Sequence, residues 1–182
     1  MQGTIFVEFL SMVEEMFGLD VVDEIIESAK ENLKTDGAYT SIGNYDHSEI
    51  LALITALVKY SGKDADELIA VFGKYLSGSF VRLHPEFFEN VTSFSEFIIS
   101  VEGYIHKTVR KIYPEANPPS LPVEKLPNGT LKIVYSSHRP FASLAKQLII
   151  ACAEHFESEI NIETISMSQD GLDAEFLVEL IQ

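Results

Sequence analysis

Between Tyr113 and Val123 the chain reads PEANPPSLP, and this stretch separates two kinds of sequence. Proline lacks an amide donor and disfavours a helical residue before it, so no helix runs through four prolines in nine positions. Before the break, apolar residues recur at helical spacing; after it, they alternate at the period of a strand. The fold class this predicts is α+β: an N-terminal helical bundle with a C-terminal four-stranded antiparallel sheet plus a helix. All 182 residues fit one domain, with residues 1–117 mainly helical and 118–182 forming the sheet-and-helix part.

The helical part carries its own punctuation. Ile5, Phe9, Met12, Val13 and Met16 mark a first helix that Gly18 can end, and a second is expected from about Asp20 to Leu33. Asp46 and Asp64 are candidate caps for two more. A short helix is expected after His84-Pro85. Ser93, with Glu96 three residues on, makes a capping-box pattern before a long helix striped by Phe94, Ile98, Val101, Ile105, Val109 and Ile112. In the second part, Asn128-Gly129 is a hairpin signal, and LKIVYSSHRP reads as a strand. Pro140 suits the first turn of the following helix. Two further strands, INIETISM and LDAEFLVELI, are joined near Gln169-Asp170-Gly171.

The net charge of −15 weighs against nucleic acid and against an anionic membrane surface. Most of this acid reads as solvated helix faces. The only cysteine, Cys152, cannot form an internal disulfide, which suits a reducing cytoplasm; it reads as a small core residue. No apolar run approaches the roughly 20 residues of a membrane helix. The opening MQGTIFVEFLSMVEEM has Glu8 inside its apolar run and no basic start, so it reads as part of the fold and not as a leader.

Five histidines are present, and none forms an HxxxH or HExxH pair. His47, His84, His138 and His155 read as surface or structural. His106 lies at the edge of an apolar stripe, with Glu102, Val109 and Arg110 as its helical neighbours. A histidine there is either a satisfied boundary residue or a ligand. One imidazole is too little for zinc, but haem iron needs only a single axial imidazole from the protein. A strand sends Tyr135, Ser137 and Arg139 to one face. Two hydroxyls and a guanidinium can hold carboxylates such as the haem propionates. The same three residues also suit an ordinary strand aromatic and the approach to a helix, and both readings stand on these residues alone.

His106, the Pro118-Pro119 pair and Tyr135-Ser136-Ser137-His138-Arg139, in this order and spacing, resemble the marks of the haem nitric oxide/oxygen binding (H-NOX) family. The opening MQGTIF and the overall length are also similar. The resemblance covers essentially the whole chain and implies a haem b between the two parts. It assigns His106 as the iron ligand and Tyr135, Ser137 and Arg139 as the propionate clamp. Pro119 is assigned a part in pressing on the macrocycle, and Ile5, Phe9 and Leu148 the apolar pocket. Oxygen-binding members resemble one another in a tyrosine five residues after the motif arginine; that position here is Leu144. The tryptophan and asparagine that assist it correspond to Phe9 and Leu76. The implied protein is a cytoplasmic sensor of nitric oxide, also binding carbon monoxide, and not an enzyme. It would signal by loss of the iron–histidine bond and a shift of the His106 helix. With no kinase or cyclase segment in the chain, the expected receiver is a separate sensor histidine kinase or cyclic-di-GMP enzyme. Rival readings are a haem-free interaction module on the same fold and a haem peroxidase-like enzyme.

Overall fold

The structure, a computed structural model, describes residues 1–181. The chain forms two compact units, Met1–Leu76 and the remainder from Ser77. The first holds α1 (Gly3–Phe17), α2 (Leu19–Ala29), α3 (His47–Ser61) and the first part of α4 (Ala65–Leu83). Gly18 ends α1 with φ 95°, a backbone conformation that glycine adopts without a Cβ clash. The second helix stops at Ala29 and tightens into a 3₁₀ turn, Lys30–Asn32, short of the expected Leu33. Asp46 caps α3 by accepting from the Ser48 amide at 3.1 Å, and Gly62 closes that helix with φ 66°. Asp64 accepts from the Asp66 amide at 2.8 Å ahead of α4.

The long loop before α3 is held by the buried carboxylate of Glu49. It accepts from the Thr35 hydroxyl at 2.8 Å and from Tyr39 at 3.0 Å. Burial and this carboxylate push the Tyr39 phenol up to about 12. The same loop passes close to the start of α1: the Gly3 amide donates to the Gly43 carbonyl at 2.8 Å. A Cβ at Gly3 would overlap the Thr40 carbonyl oxygen, which accounts for glycine in the opening MQGTIF.

In the second unit, α5 (Phe94–Ser100), a π-helical turn (Val101–Ile105) and α6 (His106–Ile112) run without a break. Ser93 caps α5, accepting from the Glu96 amide at 3.3 Å. The Glu96 carboxylate returns to the Thr92 amide and hydroxyl instead of the Ser93 amide. Ser93→Ala should therefore cost about 1 kcal/mol, read from urea unfolding.

The uniform stripe expected along this helix does not persist. Phe94 and Ile98 are buried, Val101, Ile105 and Val109 are half-buried, and Ile112 is exposed. A π-turn inserts one extra residue, so positions after it rotate away from the 3.6-residue line.

The sheet has the order β1-β2-β4-β3, all antiparallel, with β1 (Val123–Lys125), β2 (Leu131–Ser136), β3 (Ile160–Met167) and β4 (Asp173–Leu180). Gly129 (φ 90°) and the Asn128 side chain, which accepts from the Thr130 amide at 3.1 Å, close the β1–β2 turn. Leu131, Ile133 and Tyr135 alternate into a core shared with Phe176 and Val178 of β4. Phe94, Phe97 and Ile98 belong to the same core, as do Ile149 and Cys152 of α7 (Ala142–His155). The helices of residues 94–112 are thus one packing unit with the sheet. The change of period near residue 118 marks a change of secondary structure, while the compact units divide inside α4.

Candidate functional site

The candidate residues of the second unit occupy the π-turn and α6, the proline segment, the end of β2 and the start of α7. The His106 side chain is 14% exposed, and its Nδ1–H donates to Glu102 Oε2 at 3.1 Å. A carboxylate only accepts, so this bond fixes the proton on Nδ1 and leaves the Nε2 lone pair as the one that can ligate a metal. Burial lowers the pKa of the ring, against the raising influence of Glu102 and of the Pro119 carbonyl. Glu102 is half-buried, and burial pushes its carboxyl up. The bonds from His106 and from the Leu121 amide outweigh this and hold it below the usual carboxylate range.

Leu121 N–H donates to the same Glu102 oxygen at 3.0 Å, bringing the chain just after Pro118-Pro119 onto the His106 helix. One residue earlier, Ser120 and Ser136 exchange amide–carbonyl bonds of 2.9 and 3.0 Å. The proline segment therefore runs directly from His106 to the end of β2.

The strand ends there, sooner than expected: β2 stops at Ser136, and Ser137 to Pro140 form a bend. The Ser137 amide is taken by the Leu172 carbonyl, and the Ser137 hydroxyl accepts from the Arg139 amide at 3.1 Å. That side-chain turn pulls the backbone out of the ladder. Tyr135 alone of the three is a strand residue. It is buried, and its hydroxyl donates to the Arg139 carbonyl at 3.3 Å. Burial raises the Tyr135 phenol, with Ser137 and the Arg139 charge acting the other way, so the three groups share one electrostatic neighbourhood. His138 is exposed; strand alternation no longer holds in this bend, and its Nδ1 lies 3.5 Å from the side-chain amide of Asn117, the residue that Arg139 also reaches. Pro140 precedes α7 rather than opening it; the helix begins at Ala142 behind Phe141.

Arg139 is half-buried. Its Nη1 donates to the Asn117 carbonyl at 2.8 Å, and no carboxylate pairs with it among the described residues. Burial lowers its pKa against the influence of Tyr135, the direction expected of a cation lacking its anion. In a chain with 28 acidic residues, a partly desolvated guanidinium without one can take an anionic ligand.

Leu144 and Leu148 lie one turn apart on α7. Both are half-buried, whereas Ile149 on the other face is in the core. Pro119 is also half-buried. Ile5 and Phe9 are in the first unit: Ile5 is half-buried, and Phe9 is buried with its ring edge-on to Phe72 at 5.2 Å. Leu76 is buried as well. Cys152 is a core residue beside the Ser77 hydroxyl at 3.7 Å, its thiol pushed up to about 11 by burial.

Sequence spacing placed Glu102 beside His106 without giving it a role; the Glu-x-x-x-His interval was the available signal. Asn117, whose backbone carbonyl receives Arg139, leaves no trace in side-chain pattern.

The fold is that of a known class of sensor domains. H-NOX proteins of known structure match the whole chain: that of K. algicida, in the Fe(II) unliganded state, is 33% identical, with a TM-score of 0.92 over 100% of this chain and 97% of that one. The H-NOX from Shewanella woodyi, bound to IWP-051 in the Fe(II)CO state, is 33% identical, with a TM-score of 0.83 over 98% and 93%. An H-NOX protein from S. oneidensis in the Fe(II)NO state shares the fold at 24% identity, with a TM-score of 0.91 over 100% of both chains. No curated protein matches.

A family model described as Haem-NO-binding matches residues 2–164, and the chain belongs to this family of haem-based gas sensors. No helix among the described residues is long and apolar enough to cross a membrane.

Proposed function

We propose that the protein is a nitric oxide sensor carrying one non-covalent haem b. The observation that carries this reading is the pairing of two incomplete groups: an imidazole with Nδ1–H committed to Glu102, and a half-buried guanidinium with no acid of its own. A haem supplies what each lacks, a metal for Nε2 and propionates for Arg139. Non-covalent binding is supported by the single cysteine, which lies in the core and outside any CxxCH motif.

When bound, haem would supply a ferrous iron able to take nitric oxide, and the residues of this chain would hold it. His106 would hold the iron from α6, and loss of that hold would free α6 and the preceding π-turn to move. Tyr135, Ser137 and Arg139 fix the acidic edge through a phenol, a hydroxyl and a forked guanidinium. Pro119, one of four prolines in the connecting segment, would press on the macrocycle.

Leu144 and Leu148, half-buried on α7, would line the gas side with hydrocarbon. Bound oxygen draws negative charge and gains from a donor; nitric oxide needs one far less, so leucine at 144 selects nitric oxide and still admits carbon monoxide. The same side chains offer no acid or base for peroxide chemistry, which favours a sensor over an enzyme. The receiver, proposed on family resemblance, is a separate sensor histidine kinase or cyclic-di-GMP enzyme, and the location is the cytoplasm.

Absorption spectra of the purified protein test this. The ferrous protein should show a Soret band that shifts with carbon monoxide and with nitric oxide, and should form no stable complex in air. A colourless protein that gains no Soret band from added haemin would instead be an interaction module. A long-lived oxygen complex would overturn the role given to Leu144.

A further inference from the structure

The carboxylate of Glu102 gathers three donors from three places. Its Oε2 accepts from His106 Nδ1 at 3.1 Å and from the Leu121 amide at 3.0 Å; its Oε1 accepts from Arg110 Nη2 at 3.3 Å. Glu102 stands inside the π-turn that immediately precedes His106. Such turns recur at functional sites because the inserted residue re-aims the side chains around it. The Leu121 amide belongs to the segment that continues from Pro118-Pro119 to the Ser120–Ser136 bridge.

We propose that Glu102 is the positioning residue for His106, fixing its Nδ1–H tautomer and tying its orientation, through Leu121, to the proline segment. This rests on His106 being the iron ligand. An imidazole that donates to a carboxylate is a stronger donor through its other nitrogen, and its plane is fixed by the bond. Arg110 steadies the carboxylate from the next turn. The Leu121 bond makes the arrangement directional: if the imidazole swings with its helix, the carboxylate must release either the imidazole or the segment behind Pro119. Glu102 is therefore where movement of the His106 helix reaches the segment leading to Tyr135.

Glu102→Ala and Glu102→Gln separate the effects. The glutamine keeps an acceptor for the Leu121 amide, and hence the local fold, but removes the charge. In apoprotein, nitrogen NMR should find His106 as the Nδ1–H tautomer in wild type, with that population lost in Glu102→Ala. In ferrous haem protein, resonance Raman should show the iron–histidine stretch falling from wild type to glutamine to alanine. The midpoint potential should rise in the same order. A merely structural role would move unfolding temperature and leave tautomer, stretch and potential where they were. Wild-type apoprotein with His106 as the Nε2–H tautomer would overturn the proposal whether or not haem binds. So would an unchanged stretch and potential in both variants. Absence of any iron–histidine stretch in wild type would instead refute the haem reading, and this inference with it, whatever the tautomer.

Discussion

His106→Gly should abolish the iron–histidine bond and leave the fold standing. The imidazole is partly exposed at the start of α6 and is not among the buried core residues of its unit, so its removal opens no core cavity. Glycine within a helix costs about 1 kcal/mol relative to alanine, well below the stability of an ordinary domain. The circular dichroism spectrum should therefore be unchanged, while the ferrous absorption spectrum changes outright and the iron–histidine stretch disappears. Imidazole added to the solution can occupy the vacated volume and restore a ferrous spectrum close to wild type. It should not restore signalling to the proposed receiver, because nothing then ties the ligand to α6. If the substituted protein, without imidazole, keeps the wild-type ferrous spectrum, another residue ligates the iron and the assignment of His106 is wrong.

The residues that made the fold legible are those whose effect is local. The four prolines between Tyr113 and Val123 exclude a helix interior there, Asn128-Gly129 suits one kind of tight turn, and Asp46 and Ser93 cap the next residues along. What sequence periodicity could not supply came from departures from regular geometry. A π-turn has no strong residue signature, and its single extra residue turned Ile112 out of the expected stripe. The end of β2 was hidden for a related reason. Ser137 continues the alternation of Leu131, Ile133 and Tyr135, yet its hydroxyl takes the Arg139 amide and closes a turn in place of another ladder bond. The motif Tyr-x-Ser-x-Arg thus brings its three groups together by a bend, where a straight strand would space them about 7 Å apart. Individual site residues were nameable by resemblance. Their supports, Glu102 with the Leu121 amide and the Asn117 carbonyl with Arg139, depend on backbone groups that every residue carries, so side-chain patterns do not reveal them.

Arg139→Gln should weaken haem retention more than any single change at Tyr135 or Ser137, the other two residues of the proposed propionate clamp. Tyr135 and Ser137 each offer one neutral hydroxyl, already engaged with backbone of the same bend. Arg139 offers a charge and a planar fork, and it is the cation of the three. A hydrogen bond to a charged group contributes about 1.5–3 kcal/mol. At about 1.4 kcal/mol per factor of ten, its loss corresponds to haem leaving roughly ten to a hundred times faster. Transfer of haem to an excess of a scavenging apoprotein, followed at the Soret band, measures that rate directly. Arg139→Lys should recover part of the loss, since an ammonium supplies charge without the fork. The apoproteins should unfold at nearly the same temperature, because what the fold itself gives up is one bond to the exposed Asn117. Equal transfer rates for wild type and Arg139→Gln would mean that the guanidinium holds no propionate, and the unpaired cation that motivates the whole assignment would need another anion.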